Sequence, residues 1–137
     1  MSRPTWDDFF YDIARLAASR ATCDRAHVGV VIVKDNKVVS LGYNGAPSGM
    51  DHCDDVGHLM RDGHCVQTIH AELNAILNAN GSVKGSTLYS THLPCFECAK
   101  HIVQVGIIAV KYGYEYRAND MVYNLFDKAG VITEWIH

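Results

Sequence analysis

Two short stretches of the sequence carry side chains that bind metals. The first reads IHAELNAI and holds His70 and Glu72 among residues that favour helix. The second reads LPCFECAK and holds Cys95 and Cys98, three positions apart. Cysteine and histidine are the ligands that zinc most often takes in proteins. What the chain does therefore depends on whether these two stretches contribute to one site.

The cysteine pair supplies half of a zinc site. Pro94 favours a helix start, and residues at i and i+3 share one face of a helical turn, so Cys95 and Cys98 are expected side by side. The positive end of the helix dipole stabilises thiolates there. Zinc takes four ligands, and His70, at the start of another predicted helix, is the candidate third ligand.

Three protein ligands leave one position open, which is typical of a catalytic zinc that lowers the pKa of a water to about 7. Glu72 lies two residues from His70 and is predicted to act as the proton shuttle for that water. A structural zinc half-site or a redox pair is the alternative for the cysteines alone. The combination H-x-E and P-C-x-x-C, here HAE and PCFEC, is the signature of zinc-dependent nucleobase deaminases.

Hydrophobic periodicity and turn residues predict the elements that position these groups. We expect helices over 4–20, 69–78, 95–106 and 119–130, and strands over 28–33, 38–43, 86–91, 107–114 and 131–136. Residues 44–68 hold too much Gly, Asp and His for a regular element. Strands that alternate with helices predict an α/β fold with a largely parallel sheet covered on both faces, and both site helices begin at one edge of such a sheet.

Size and composition narrow the function further. The 137 residues are 48% hydrophobic, which fits one globular domain. The formal net charge of -3 argues against a nucleic-acid partner, and no apolar run reaches the roughly 20 residues that span a bilayer. The N-terminal stretch does not have the pattern of a signal peptide. We therefore expect a cytoplasmic protein, in which five cysteines indicate metal or redox chemistry rather than disulfides.

Over nearly its whole length the sequence resembles the deoxycytidylate (dCMP) deaminase family of the cytidine deaminase superfamily, in its shorter bacterial and phage form. The motifs that carry the resemblance are CDRAHVG at 23–29, GYNGAPSG at 42–49, HAELNAI at 70–76 and PCFEC at 94–98. The resemblance implies one domain over residues 1–137, with a three-layer α/β/α cytidine deaminase-like fold and a mixed five-stranded sheet. It also implies zinc-dependent deamination of dCMP to dUMP and ammonia, which supplies dUMP for thymidylate synthesis.

The same resemblance implies roles for residues around the base and sugar. Glu72 would take a proton from the attacking water, pass it to N3 of cytosine and then protonate the leaving amine. The backbone N–H of Ala71 would lie near the base carbonyl oxygen, Asn44 would hold the sugar or a base edge, and Ser90–Thr91 would line the base pocket. The alternative for Asn44 is a plain turn residue, since Asn-Gly favours turns.

The substrate phosphate needs a cation in an acidic protein. Arg25, in the Cys-x-Arg motif, is the first candidate, because a guanidinium fork suits phosphate oxygens. Tyr116 could add a hydroxyl donor. The alternatives are that Arg25 forms a surface ion pair and that Tyr116 only packs.

A second, structural zinc is the family feature that would explain the long 44–68 segment. Cys23 and Cys53 would lead its ligands, completed by His64 or Cys65 and by His58. Otherwise these are free cysteines and surface histidines.

Regulation is also implied by the resemblance: a homo-hexamer activated by dCTP and inhibited by dTTP, with Mg²⁺ bridging the effector phosphates. The GYNGAPSG stretch is the expected effector site, since glycines let backbone N–H groups approach phosphate. Its candidate residues are Gly42, Tyr43, Gly45, Pro47 and Gly49. The alternative is that this stretch only shapes the substrate pocket.

Three rival functions stay open. One is a deaminase of another cytosine or purine substrate, such as dCTP or a free base. A polynucleotide deaminase would need a basic groove and stacking aromatics. A non-catalytic zinc module would have no need of Glu72. In each case the protein would act in the cytoplasm, or in the host cytoplasm if it is viral.

Overall fold

Four helices and seven strands make up the part of the chain that the computed structural model describes, which is residues 2–22, 27–46, 60–61, 64–65, 68–115 and 119–137. In chain order they are α1 (Trp6–Ala18), β1 (Gly29–Lys34), β2 (Lys37–Tyr43), β3 (Met60–Arg61), β4 (His64–Cys65), α2 (Ala71–Asn78), β5 (Thr87–His92), α3 (Phe96–Gln104), β6 (Ala109–Tyr114), α4 (Asp120–Ala129) and β7 (Ile132–Trp135). Within the described ranges, no helix has the length and apolar character needed to cross a bilayer.

The main sheet has five strands in the order β2-β1-β5-β6-β7. Strand β1 runs antiparallel to both of its neighbours, β2 and β5, whereas β5, β6 and β7 pair in parallel. The predicted mixed five-stranded sheet is therefore confirmed. The expectation of a largely parallel sheet holds only for its second half.

The hairpin between β1 and β2 forms at the predicted turn. Asp35 and Asn36 both have positive φ angles, 53° and 61°. This is the backbone of a type I′ turn, whose twist matches that of the flanking strands and which favours Asn and Asp. The two turn residues, Asp35 and Asn36, thus help to set how β1 pairs with β2.

The two faces of the sheet hold separate hydrophobic clusters. On β1, Val30 and Ile32 belong to one cluster, and Val31 and Val33 belong to the other, as the alternation of a strand requires. The first cluster contains buried residues of α2, α3 and α4, and the second contains residues of α1 such as Phe10. The sheet is covered on both faces, which confirms the three-layer α/β/α architecture.

One segment differs from its prediction. Residues 44–68 were expected to hold no regular element, but β3 and β4 pair as a two-stranded antiparallel sheet within them. The two residues between these strands are Asp62-Gly63, a dipeptide that favours tight hairpin turns. The GYNGAPSG stretch begins inside β2, in agreement with the predicted strand over 38–43.

Polar contacts join α1 to the sheet at Asp7. The Tyr89 hydroxyl donates to Asp7 Oδ1 (2.5 Å), and Lys111 Nζ donates to both carboxylate oxygens (2.9 and 3.1 Å). Burial alone would raise the pKa of Asp7, but the hydrogen bonds from Tyr89 and Lys111 lower the pKa overall. Because Tyr89 and Lys111 belong to β5 and β6, the carboxylate fastens α1 to two strands.

A folded-state pKa below the unfolded value stabilises the fold above the unfolded pKa and loses that stabilisation as pH falls through the folded pKa. We therefore expect Tyr89→Phe to lower the free energy of unfolding at neutral pH by about 1 kcal/mol. The variant should also lose less stability than the parent on acidification below about pH 4. Urea unfolding at pH 7 and pH 3 measures both effects.

The control is Asp12→Asn, which removes a solvent-exposed ion pair with Arg15 at 3.6 Å. Such a pair contributes little, so this variant should unfold like the parent at both pH values. Equal acid sensitivity of Tyr89→Phe and the parent would contradict the role assigned to Asp7.

Candidate metal centre and active site

The predicted metal ligands meet at the starts of two helices. His70 is the N-cap residue of α2 and Cys95 is the N-cap residue of α3, and neither side chain hydrogen-bonds to its own helix end. His70 Nδ1 lies 3.3 Å from Cys98 Sγ and 3.5 Å from Cys95 Sγ. Among the described residues, these three form the one group of side chains whose ligand atoms lie within 4.8 Å of one another. The structure therefore brings the side chains of the two motifs together at one place.

The spacing of the three atoms fits zinc. Zinc–sulfur bonds of about 2.3 Å and zinc–nitrogen bonds of about 2.0–2.1 Å at tetrahedral angles place nitrogen and sulfur about 3.6 Å apart. The observed nitrogen–sulfur distances are 3.3 and 3.5 Å. Two sulfurs and one imidazole nitrogen are also the donor set that zinc accepts. The residues present therefore suit a zinc ion with one position left for water or substrate.

The two thiols titrate very differently in the metal-free protein. The hydrogen bond from Cys98 lowers the pKa of Cys95 to about 4, and the contact with His70 acts in the same direction. The same hydrogen bond, together with burial, raises the pKa of Cys98. The Cys98 thiol therefore keeps its proton at neutral pH. A metal ion has to displace it, so metal binding releases a proton.

Glu72 lies in the first turn of α2 and is 5% exposed. Burial raises the pKa of its carboxyl group, against smaller opposing effects of a backbone hydrogen bond and His70. Its carboxylate is not part of the cluster of metal-ligating atoms. A buried carboxyl beside the ligands but outside their cluster is suited to exchange protons rather than to coordinate metal.

Helix α2 packs very closely on β2, which positions both His70 and Glu72. A Cβ atom added at Gly42 would lie 2.5 Å from the Ala71 carbonyl oxygen and 2.6 Å from the Ala75 nitrogen. No side chain fits there without moving the helix. This packing accounts for the glycine at position 42, whose predicted role in effector binding stays a prediction.

The residues predicted to line the base pocket are buried at the strand ends beside β1. Asn44 Oδ1 accepts from the Val28 N–H (2.8 Å), and Thr91 Oγ1 accepts from the Gly29 N–H (3.1 Å). Ser90 is fully buried, and its Oγ accepts from the His92 N–H (3.2 Å). These residues lie at the edge of the sheet where β5 ends, and the chain continues from there to Cys95. Their contacts with substrate, and that of the Ala71 N–H, remain predictions.

His92 is a residue of this edge that sequence reasoning missed. Its Nδ1 lies 2.7 Å from Thr91 Oγ1, and its ring meets the Tyr114 ring edge-on at 5.3 Å. Burial lowers its pKa, so the imidazole is neutral at pH 7. The signal in the sequence was its place at the end of a strand three residues before Cys95.

Several predicted residues are not covered by this description. Outside the described residues lie Cys23, Arg25, Pro47, Gly49, Cys53, His58 and Tyr116. His64 and Cys65 form β4, while Tyr43 ends β2 and Gly45 pairs with Ile69. The second zinc, the phosphate contacts and the effector site thus stay predictions.

An α/β/α sandwich with a His-Cys-Cys cluster and a buried glutamate at two helix starts defines the cytidine deaminase-like class of metalloproteins. Residues 4–114 match the family described as the cytidine and deoxycytidylate deaminase zinc-binding region. The chain belongs to this family.

Curated relatives of the chain come from bacteria, phages and eukaryotes. It is 42% identical over 139 aligned positions to ComE operon protein 2 of Bacillus subtilis, covering 99% of this chain and 74% of that protein. It is 40% identical over 128 positions to the deoxycytidylate deaminase of Mycobacterium phage D29, covering 84% and 99%. It is 38% identical to the deoxycytidylate deaminase of Saccharomyces cerevisiae, covering 96% of this chain but 45% of the yeast protein.

Solved structures agree with this placement. The dCMP deaminase of cyanophage S-TIM5, crystallised in complex with dCMP and dUMP, superposes with a TM-score of 0.84 at 32% identity, covering 99% of this chain and 100% of that one. The predicted fold class is therefore confirmed.

Proposed function

We propose that this chain catalyses the hydrolytic deamination of dCMP to dUMP and ammonia. The observation that carries the proposal is the buried Glu72 carboxyl beside a ligand cluster with the spacing of a three-ligand zinc site. The similarity to dCMP deaminases over almost the whole chain supports the choice of dCMP. We further propose that the chain acts as a single domain in the cytoplasm of a cell or of a viral host.

The residues of the site divide the chemistry between them. When bound by His70, Cys95 and Cys98, zinc supplies a Lewis acid that lowers the pKa of a water at the open position. Glu72 accepts one proton of the attacking water and delivers it to N3 of the base. It then accepts the second proton, from the hydroxyl newly bonded to C4, and passes it to the departing amine, so that the C4 carbonyl forms as the C–N bond breaks. Water adds at C4, ammonia leaves, and the cytosine ring becomes uracil. Because Glu72 is removed from solvent, its proton passes between groups inside the site.

The decisive assay compares dCMP with dCTP, deoxycytidine and cytosine on the purified protein. The proposal requires the highest kcat/KM for dCMP. A preference for dCTP would instead support the alternative of a deaminase for another cytosine nucleotide. Turnover only on single-stranded DNA or RNA would support a polynucleotide deaminase, against which the net charge of -3 argues.

Arg25 is proposed to bind the substrate phosphate. Arg25→Ala should lower kcat/KM for dCMP by about 10- to 100-fold, the loss of one charge-assisted contact, and leave deoxycytidine nearly unchanged. The ratio of the two kcat/KM values therefore falls. Arg20→Ala, at an exposed arginine just after α1, is the matched control and should keep the parent ratio. An unchanged ratio in Arg25→Ala would remove Arg25 from the phosphate site.

A second zinc is proposed to link Cys23 and Cys53, with His64 or Cys65 and His58 as further ligands. The support is the choice of residue types, since thiols and imidazoles outside the catalytic set are zinc ligands. Elemental analysis of the purified chain should then give two zinc ions per chain, and a value of one would contradict the proposal.

We also propose a homo-hexamer that dCTP activates and dTTP inhibits, with Mg²⁺ on the effector phosphates. Effectors that favour opposite states require two global states of different affinity. We expect sigmoidal dCMP saturation curves that dCTP shifts to lower and dTTP to higher substrate concentration. Light scattering gives the mass in the same buffer. Hyperbolic curves that neither nucleotide shifts, from a monomer, would overturn regulation and leave the deaminase proposal intact.

A further inference from the structure

We propose that Asn74 is a positioning residue that joins the Asn44 segment to the segment ending at His70. The proposal rests on the proposed function, because it assigns Asn44 to one side of the substrate pocket and Glu72 to the other. Asn74 lies on α2, one turn after His70, and its backbone N–H donates to the His70 carbonyl oxygen (2.9 Å). The Asn74 side chain takes no part in the deamination described above.

The Asn74 amide nitrogen lies between two carbonyl groups. Asn74 Nδ2 donates to the Tyr43 carbonyl oxygen at 2.8 Å and is 3.5 Å from the Ile69 carbonyl oxygen. Tyr43 is the residue before Asn44, and Ile69 is the residue before His70. A side-chain amide carries two N–H donors, so one group can serve both carbonyls. The side chain therefore spans the two segments that flank the site.

A backbone bridge completes the connection. The Gly45 N–H donates to the Ile69 carbonyl oxygen (3.2 Å), and the Ile69 N–H donates to the Gly45 carbonyl oxygen (2.8 Å). Asn44 thus lies between one residue held by Asn74 and one held by Ile69. Losing the amide donor frees the Tyr43 side of this connection and leaves the Gly45–Ile69 bridge as its remaining link, which should then open more often.

Other contacts hold the rest of α2 to β2 without reaching the site. Ser40 Oγ donates to the Ala75 carbonyl oxygen (2.7 Å), and Gly42 allows the close approach of the helix backbone. These contacts keep α2, and with it His70, in place when Asn74 is changed. Loss of Asn74 should therefore disturb the distance from Asn44 to Glu72 more than it disturbs the metal ligands.

The experiment uses Asn74→Asp, which keeps the shape but replaces the donor by an oxygen that repels the Tyr43 carbonyl, and Asn74→Ala, which removes the donor without repulsion. We expect KM for dCMP to rise about tenfold, which corresponds to the loss of one half-buried hydrogen bond, with kcat altered much less. Zinc content should stay at the parent value. Asn80→Asp, the same chemical change at an exposed residue, should leave KM unchanged.

Ser40→Ala separates positioning from general stability. It removes an α2–β2 hydrogen bond away from the site, so it should lower the melting temperature and keep KM. If the Asn74 variants behave like Ser40→Ala, with reduced stability but the parent KM, the inference is wrong. Loss of zinc together with activity in both Asn74 variants would also overturn it.

Hydrogen exchange tests the same inference without reference to turnover. Peptides covering Gly45 and Ile69 should exchange their amide hydrogens faster in Asn74→Ala than in the parent, and at the parent rate in Asn80→Asp. Equal exchange in Asn74→Ala and the parent would overturn the positioning role even in an active enzyme. A parent protein that does not deaminate dCMP would instead overturn the proposed function, and the exchange result would still decide the role of Asn74.

Discussion

Glu72→Gln should reduce kcat for dCMP by about 10²–10⁴-fold or more, the usual contribution of a positioned general acid–base group. Glutamine keeps the size and hydrogen-bonding shape of the buried side chain but exchanges no proton at its amide. The zinc content and the melting temperature should therefore stay close to those of the parent. Steady-state kinetics and elemental analysis on the same preparation measure these quantities.

Glu97→Gln is the matched control for this variant. Glu97 lies in the PCFEC motif, but its side chain is 73% exposed and forms an ion pair with Lys100 at 3.0 Å. The same chemical change should leave kcat at the parent level there. Substantial deamination by Glu72→Gln would exclude Glu72 as the proton shuttle, whereas a loss of zinc in that variant would show that Glu72 supports the metal site.

His70→Ala and Cys98→Ala should lose the catalytic zinc. Each removes one of the three ligand atoms, and Cys98 is buried, so water cannot readily take its place. Zinc contributes several kcal/mol to the transition state and each 1.36 kcal/mol is tenfold in rate, so activity should fall on the order of 10³-fold or more. Elemental analysis should show one zinc fewer per chain than in the parent.

His101→Ala provides the control for the histidine variant. His101 is exposed on α3, and its Nδ1 lies 2.7 Å from the Glu97 carbonyl oxygen of its own helix. Its removal should change neither the zinc content nor the activity. If His70→Ala retained the parent zinc content, the third ligand would have to be sought elsewhere.

Local signals predicted the parts of the fold that neighbours in sequence determine. The Asp35-Asn36 turn marks the hairpin, and Asn119 and Gly130 mark the two ends of α4, where Asn119 Oδ1 accepts from the Val122 N–H and Gly130 has a φ of 76°. The grouping of the three predicted metal ligands was equally predictable. His70, Cys95 and Cys98 each stand at a helix start, so motif and element prediction agreed.

Long-range packing accounts for what the sequence could not predict. Gly42 was predicted inside the 38–43 strand, but the need for glycine there was not, because it arises from the α2 backbone that lies against this position. Asn74 carried no signal, since its partner is the backbone carbonyl of Tyr43, 31 residues away, and any residue type supplies such a carbonyl. The place of β1 between β2 and β5 likewise depends on tertiary pairing rather than on local pattern.

The pairing of β1 with β5 has a consequence for the order in which the chain assembles. Strands β5, β6 and β7 and their helices α3 and α4 follow one another in sequence, and so do β1 and β2, whereas β1 reaches β5 only across the intervening chain. His70 belongs to the earlier half, and Cys95 and Cys98 belong to the later one. During synthesis, the N-terminal hairpin and α2 emerge first, and the three-ligand site can form only after Cys98 has been made. A zinc ion bound there would add a second link between the two halves, besides the β1–β5 pairing. Metal supply would then influence the fraction of newly made chains that complete folding, as well as the catalytic rate of the folded protein.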